Sequence, residues 1–567
     1  MATLRSLTIQ NFKGIKDPVK IDFKPITLLF GPNSAGKSTI IQALHYVREI
    51  FVNRNFSPEH SLVRGECVDL GGFRTMVHNH DLSLPIKFIL EVDFGGNELP
   101  DYIRNEEVLY RTKVHAGVYL DCLASVQRAS VGVSVCWDSI SAAAYVESYR
   151  VDLNGKFFCE TKAGTPLVHL WRNVLRVRPE LSKTASSEED DRKIREGLKG
   201  VTVWLNFVHP LFASPDKESS NGLLRELAES VSVEPFQWYW GGNPSEDRLP
   251  GRTLEARGSA LPDWENPFKN WGGIADAKAS KLDPEEFYRR SEAFDELLRR
   301  AVAGPGKLIR DILQDIRHLG PLRSIPPRVL EQSRSVQEMV VSPDLSIWEE
   351  LFGLDAQTIG TINDWMTEPK RLDTGYWIDL KHYRESDSKR LAALDVGQLG
   401  DLSQFIDEVR KIPERIRLSL RQVNSQRELS FRDVGTGISQ VMPVVIAAIV
   451  ARDQIVAIEQ PELHIHPALQ VKLGDLFISQ IHNAKALFIL ETHSEHLMLR
   501  LLHRIRETTE NKLPAGAHPL KLDQVSVIYV EQDGGAAKIY PLRIDETGDF
   551  IDRWPRGFFE ERANELF

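Results

Sequence analysis

Residues Ile26-Thr-Leu-Leu-Phe30 form an unbroken apolar run, Gly31-Pro-Asn-Ser-Ala-Gly36-Lys37-Ser38-Thr39 follows directly, and Ile40 to Ile50 carries apolar residues at helical spacing. A short continuous apolar run reads as a strand buried on both faces. A glycine loop therefore sits between a central strand and a helix, and it matches G-x-x-x-x-G-K-[ST] in the context that pattern needs. In such a loop the glycines let backbone N–H groups curl around phosphate oxygens, and the helix N-terminus adds its dipole. Lys37 is placed to reach the outer phosphates, and the Ser38 hydroxyl is suited to Mg²⁺. Gly31, Pro32, Asn33, Ser34, Ala35, Gly36, Lys37, Ser38 and Thr39 are thus the candidate phosphate-binding residues, on an α/β fold.

The second half of such a site has to come from downstream. Ile455 to Ile458 runs as a strand into Glu459-Gln460-Pro461-Glu462, and an acid at a strand's C-terminal end is where a Mg²⁺-positioning group belongs. One strand further on, Leu490-Glu491-Thr492-His493-Ser494 puts a histidine and hydroxyls at the next tip. Upstream, Phe431-Arg-Asp-Val-Gly435-Thr-Gly437-Ile-Ser439-Gln440 opens the apolar helix Val441 to Val450, another phosphate-facing helix start. Each piece alone is a common strand tip or glycine turn; their order along one chain is what carries weight.

These motifs, with Leu7-Thr-Ile-Gln-Asn-Phe-Lys-Gly14 ahead of the loop and Glu459-Gln-Pro-Glu-Leu-His-Ile-His-Pro467 after the strand Ile455 to Ile458, resemble the ABC-type AAA ATPases related to SMC and overcoming-lysogenization-defect proteins. The closing Trp554-Pro-Arg-Gly-Phe-Phe-Glu560 is similar to the C-terminal signature of one branch of these bacterial ATPases. The resemblance implies an ATPase head split between the two ends of the chain, with ATP and Mg²⁺ as cofactors. It implies Ser38 and Glu459 as metal ligands, Lys37 on the phosphates and His493 as the switch histidine. It further implies that Gly437, Ser439 and Gln440 belong to a signature segment, with Ser439 contacting the γ-phosphate held by a second subunit, so that ATP joins a head-to-head homodimer.

The sequence departs from that pattern in places. Gln460 stands where many relatives carry a second acid, and an amide orients water but accepts no proton, which forfeits about 10²–10⁴ in rate. Slow hydrolysis is expected unless Glu462 or Glu491 substitutes; a glutamine can also suffice by positioning water. No glutamine lies between Gln42 and Gln127, so the lid is sought at Asp69-Leu-Gly-Gly-Phe-Arg74 with Asn79 and Asp81. His464 and His466 read as helix-start packing or dimer contact in preference to a metal site. Val530-Glu531-Gln-Asp533 resembles the acidic start of a TOPRIM nuclease domain, but too little chain follows for that domain's later acids, so no nuclease activity is expected.

Between these ends the texture changes. Residues 1–164 read as the first part of the head with a β meander over 86–160, 165–424 as a mainly helical insertion, and 425–567 as the rest of the head. Helices are expected at Pro284 to Arg290, Lys307 to Ile316 and Leu402 to Leu420, the last with a break at Pro413. The stretch 238–281 is rich in Gly, Pro and Trp; Trp238, Trp240, Trp264 and Trp271 with Arg248, Arg252 and Arg257 suit base stacking, although packing of the indoles is the plainer reading. Gly320 to Arg328 reads as a turn back into the core, with Arg323 a nucleotide or partner contact in the sharper reading.

A net charge of −10 excludes a uniformly basic, nucleic-acid-coating surface and leaves a local groove for DNA or RNA open. Four cysteines without CxxC spacing, no basic-then-apolar leader and no run of about 20 apolar residues point to a cytoplasmic protein with no membrane contact. The expected function is ATP-gated dimerisation that controls a separate nuclease or toxin effector in prokaryotic anti-phage defence. The alternatives are a DNA-repair or chromosome-maintenance ATPase acting directly on DNA, and a scaffold that binds ATP with negligible turnover.

Overall fold

The computed structural model describes residues 2–99, 123–163, 201–205, 247–249, 259–264, 296–333, 345–385 and 406–554, less a few positions inside these ranges and with two isolated positions besides. The apolar run ahead of the glycine loop is the strand Ile26–Phe30, buried at every residue. It lies inside a six-stranded sheet with spatial order Arg317–Leu319, Ile455–Glu459, Leu487–Glu491, Ile26–Phe30, Val525–Asp533, Ala536–Leu542. The first five strands are parallel and the last pairs antiparallel as a hairpin. Side chains alternate between two cores. Leu29, Ile455, Ala457, Ile489 and Ile528 pack with Ile40, Ile41 and Leu44 of the helix Lys37–Arg48. Leu28, Val456, Ile458, Phe488, Leu490 and Val527 pack against the helices Thr436–Val450, Pro467–Asn483 and Glu495–Thr509. Cover on both faces is why these strands read as continuous apolar runs.

An eight-stranded antiparallel sheet packs on the first of these cores, in the order Asp247–Leu249, Val201–Leu205, Lys156–Ala163, Ala143–Leu153, Arg128–Asp138, Ile86–Asp93, Thr3–Gln10, Val19–Asp22. The expected meander is its centre. The chain's first two strands belong to it, and the third crosses to the parallel sheet, which brings the glycine loop to the junction of the two layers.

The stretch 165–424, expected as mainly helical, supplies strands to all three larger sheets among its described residues. Val201–Leu205 and Asp247–Leu249 extend the antiparallel sheet, and Arg317–Leu319 forms the edge of the core sheet beside Ile455–Glu459. Leu330–Ser333, Glu414–Gln422 and Tyr376–Arg384 build a third sheet, which Glu428–Leu429 joins from beyond position 424. Helices are present at Gly304–Gln314, close to the expected 307–316, and at Ala356–Thr367. The helix expected over Leu402 to Leu420 is corrected: from Glu414 the chain is a strand. Ile416, Leu418 and Leu420 are buried and alternate with Arg415, Arg417 and Arg421, so the period is two and the sheet wins. Pro284 to Arg290 lies outside the described residues apart from Glu285.

Within 238–281, Trp264 is buried, stacks on Phe51 with ring centroids 5.6 Å apart and donates its Nε1–H to the Phe51 carbonyl at 2.6 Å. Packing is therefore its role; Trp238, Trp240, Trp271, Arg252, Arg257 and the side chain of Arg248 lie outside the described residues. Cys67, Cys136 and Cys159 are free thiols. Among the described residues no helix is long and apolar enough to cross a membrane.

Candidate nucleotide site

The C-terminal ends of Ile26–Phe30, Leu487–Glu491 and Ile455–Glu459 lie side by side, with Glu459 opposite Glu491 and Glu491 opposite Leu29 in register. Gly31 leaves its strand at φ +147°, and a Cβ there would stand 2.0 Å from the Val530 carbonyl oxygen, so the loop can turn only on glycine. Pro32, Asn33 and Ser34 form its exposed crest, Ala35 and Thr39 are buried beneath, and Gly36 opens the helix Lys37–Arg48. Lys37 folds back into this loop: its Nζ donates to the Gly31 and Pro32 carbonyls at 3.0 and 2.9 Å and stands 3.8 Å from Glu491 Oε1. Burial lowers the Lys37 pKa, and the charges of Glu491, Glu462 and Glu459 oppose that shift.

The Ser38 hydroxyl donates to Glu491 Oε2 at 2.7 Å. Glu459, the acid expected beside Ser38, instead meets His318 Nε2 at 3.1 Å. Burial and the nearby Glu459 charge raise the Glu491 pKa. A serine hydroxyl with two strand-tip carboxylates is a hard oxygen set that fits Mg²⁺.

Glu462, one of the two candidates to stand in for the missing second acid, is tied to the segment Thr492 to His493. Its Oε2 accepts from Thr492 Oγ1 at 2.7 Å and its Oε1 from the His493 backbone N–H at 2.6 Å, so both oxygens fix the switch segment. Burial raises its pKa. His493 is held below its usual range by burial and by Lys37, which keeps the imidazole neutral near pH 7. Gln460 takes a left-handed φ of 44°, donates its N–H to the Glu491 carbonyl at 2.6 Å and leaves its side chain half-buried. His466 caps the next helix, its Nδ1 accepting from the Ala468 N–H at 3.2 Å.

The signature segment differs most from expectation. Ser439, expected to reach a partner-held phosphate, is buried and donates to the Phe431 carbonyl at 2.8 Å. Gln440 is also buried, its Nε2 donating to the Arg323 carbonyl at 2.8 Å. Gly437 passes so close to the turn after the Glu459 strand that a Cβ would stand 2.8 Å from the His464 carbonyl oxygen. Gly435 and Thr436, at the helix start, are the exposed residues.

Sequence reasoning missed His318, which sits in a three-residue strand with no motif; only its pairing with Ile455–Glu459 brings it to the acid. Arg323 was half read. It is buried in the expected return turn and donates to the Glu459 and Gln460 carbonyls at 2.8 and 3.0 Å, so it clamps the strand tip. In the stretch where the lid is sought, Gly71 and Gly72 both take positive φ and lead into the short helix Phe73–Met76.

An AAA ATPase domain model matches residues 3–143 and 349–498, and a family described as a protein of unknown function (DUF3696) matches 520–567. No curated protein matches the chain. Among solved structures it is similar to the SMC head domain from Thermotoga maritima at 10% identity and TM-score 0.33, covering 95% of this chain and 99% of that one. A Smc head domain with an extended coiled coil bound to the C-terminal domain of ScpA, derived from Pyrococcus furiosus, matches at 10% identity and TM-score 0.34, covering 100% and 98%. Because the AAA ATPase domain model takes in just over half of the residues, in two blocks that between them hold Lys37, Ser38, Glu459 and His493, the chain belongs to the AAA ATPase domain family.

Proposed function

We propose that this AAA ATPase binds ATP with Mg²⁺ through Gly31 to Thr39, Glu459 and His493, hydrolyses it slowly, and uses ATP to close a head-to-head homodimer that gates a separate effector. The observation that carries the site is the convergence of Lys37, Ser38, Glu459, Glu491 and the Glu462-fixed switch segment on one edge of the parallel sheet. When ATP enters, Lys37 exchanges the Gly31 and Pro32 carbonyls for phosphate oxygens. Mg²⁺, when bound, neutralises charge on those phosphates. Ser38 and the strand-tip acids would hold the ion, Gln460 orients the attacking water, and neutral His493 donates a hydrogen bond toward the terminal phosphate.

Dimerisation is supported by the exposed signature start, and we assign its outward hydroxyl to Thr436 in place of Ser439. Leu322 is 78% exposed and Val329 57%, in the turn whose Arg323 clamps the Glu459 tip, so apolar surface lies open beside the site. The nuclease or toxin effector and the anti-phage setting rest on the motif resemblance, and the cytoplasmic setting on the cysteine pattern and the lack of a long apolar run. Light scattering tests the dimer. Mg-ATP should double the mass of the wild type, Thr436→Arg should bind ATP yet stay monomeric, and an unchanged ATP-dependent dimer in that variant would refute the assignment.

Gln460 favours a second reading, a scaffold with negligible turnover. Gln460→Glu separates the two: a gain of about 10²–10⁴ in rate marks a throttled site, and no gain marks a base elsewhere. Salt-sensitive DNA binding with DNA-stimulated hydrolysis would shift the function toward DNA maintenance.

A further inference from the structure

Glu491 is the carboxylate in direct contact with the glycine-loop helix, and the motif pattern gives it no part in holding metal. Its side chain is 8% exposed, it accepts from Ser38 at 2.7 Å, and its other oxygen faces Lys37 at 3.8 Å. Glu459 is its register neighbour on the adjoining parallel strand. Adjacent parallel strands lie about 4.8 Å apart, so two acids leave the sheet edge within reach of one small ion. Lys37 stands beside Glu491 and its charge also acts on Glu462 and Glu459, Arg323 adds a second positive charge near Glu462, and Glu462 is already committed to Thr492 and His493. Gathering carboxylates away from water is costly, and in this chain they are gathered at the sheet edge beside a metal-suited hydroxyl.

We propose that Glu491 is a second metal-holding carboxylate, which together with Glu459 and Ser38 cradles the divalent cation of the nucleotide complex. The inference rests on the proposed nucleotide site and deepens it. Ser38 could offer a lone pair to the cation while its O–H stays on Glu491. Departure of Lys37 toward the phosphates frees the second Glu491 oxygen at the same moment that negative charge enters. The division of labour differs from a one-acid site: Glu459 is held by His318 and Glu491 by Ser38, so two acids would hold the cation.

The test uses the full chain and Mn²⁺ with ADP, free Mn²⁺ being read by electron paramagnetic resonance. ADP affinity in EDTA is measured alongside by displacement of a fluorescent analogue. Glu491→Gln keeps side-chain shape and removes a buried charge; it should weaken Mn²⁺ binding at least tenfold while metal-free ADP affinity is held or increased. Glu491→Asp, which keeps the charge one methylene shorter, should fall between wild type and Gln. It also serves as the charged variant should the amide melt early. Mn²⁺ affinity within twofold of wild type in both variants, with Glu459→Gln losing it, would overturn the proposal while leaving the nucleotide site intact. Absence of ADP binding by the wild type in both metal and EDTA would instead refute the nucleotide site itself.

Discussion

Truncating Glu462 separates a positioning carboxylate from a catalytic base. Its two oxygens accept from Thr492 Oγ1 at 2.7 Å and from the His493 N–H at 2.6 Å, both partly buried. Glu462→Ala leaves two donors without acceptors at about 1–3 kcal/mol each, so the switch segment loses about 2–6 kcal/mol of local stability. Glu462→Gln costs less. Its amide oxygen still serves the His493 N–H, and the Thr492 hydroxyl can turn to accept from the amide while it also accepts from the Ser494 N–H at 2.9 Å. Hydrogen exchange over residues 487–500 reads the difference: about 2 kcal/mol corresponds to roughly thirtyfold faster exchange if opening is local. Alanine should exceed that and glutamine fall below it, with turnover falling in the same order because His493 is displaced. If Glu462 were instead the proton acceptor, Glu462→Gln would abolish turnover without altering exchange, and that pattern would refute the positioning role.

Gly31→Ala should destabilise the chain and weaken nucleotide binding, since φ +147° alone costs about 1–3 kcal/mol for a side chain and the new Cβ meets the Val530 oxygen; calorimetry and analogue binding read both. His318→Ala removes the partner of Glu459 and should lower metal affinity or turnover about 10–100-fold, as for other groups that orient a ligand, with partial rescue by His318→Gln. The pH dependence of Glu491 has a definite sign. Its folded pKa is raised above 4.5, so the folded state holds the proton more tightly, and that contribution to stability is lost as pH rises from 4.5 through the raised value. Thermal melts should accordingly show Glu491→Gln gaining on wild type across that window, and a constant gap would contradict the shift.

Much of the site was legible because its chemistry is local. Gly31 to Ser38 must lie at a strand–helix junction, and apolar runs ending in Glu459 and Glu491 must lie in a covered parallel sheet; both are short-range consequences of sequence. What could not be read depends on register between distant segments. His318 meets Glu459 only because a three-residue edge strand pairs there, and no periodicity announces three residues. Ser439 looked like the exposed signature hydroxyl from its neighbours, yet one turn into the helix Thr436–Val450 it faces inward to Phe431. The strand Glu414–Gln422 overlaps the end of the stretch expected as helix over Leu402 to Leu420, because Ile416 and Leu420 stand four apart as on a helix, while the alternating arginines fix the sheet face.

The central claim is that Gly31 to Thr39, Glu459 and the switch segment form one ATP site. Equilibrium binding of ATP with Mg²⁺ to the wild type and to Lys37→Ala tests it most directly. The wild type should bind saturably and the variant should lose at least a hundredfold in affinity, since it removes the cation that two carbonyls of the loop and Glu491 hold there. Equal ATP affinity in the two proteins would contradict the account.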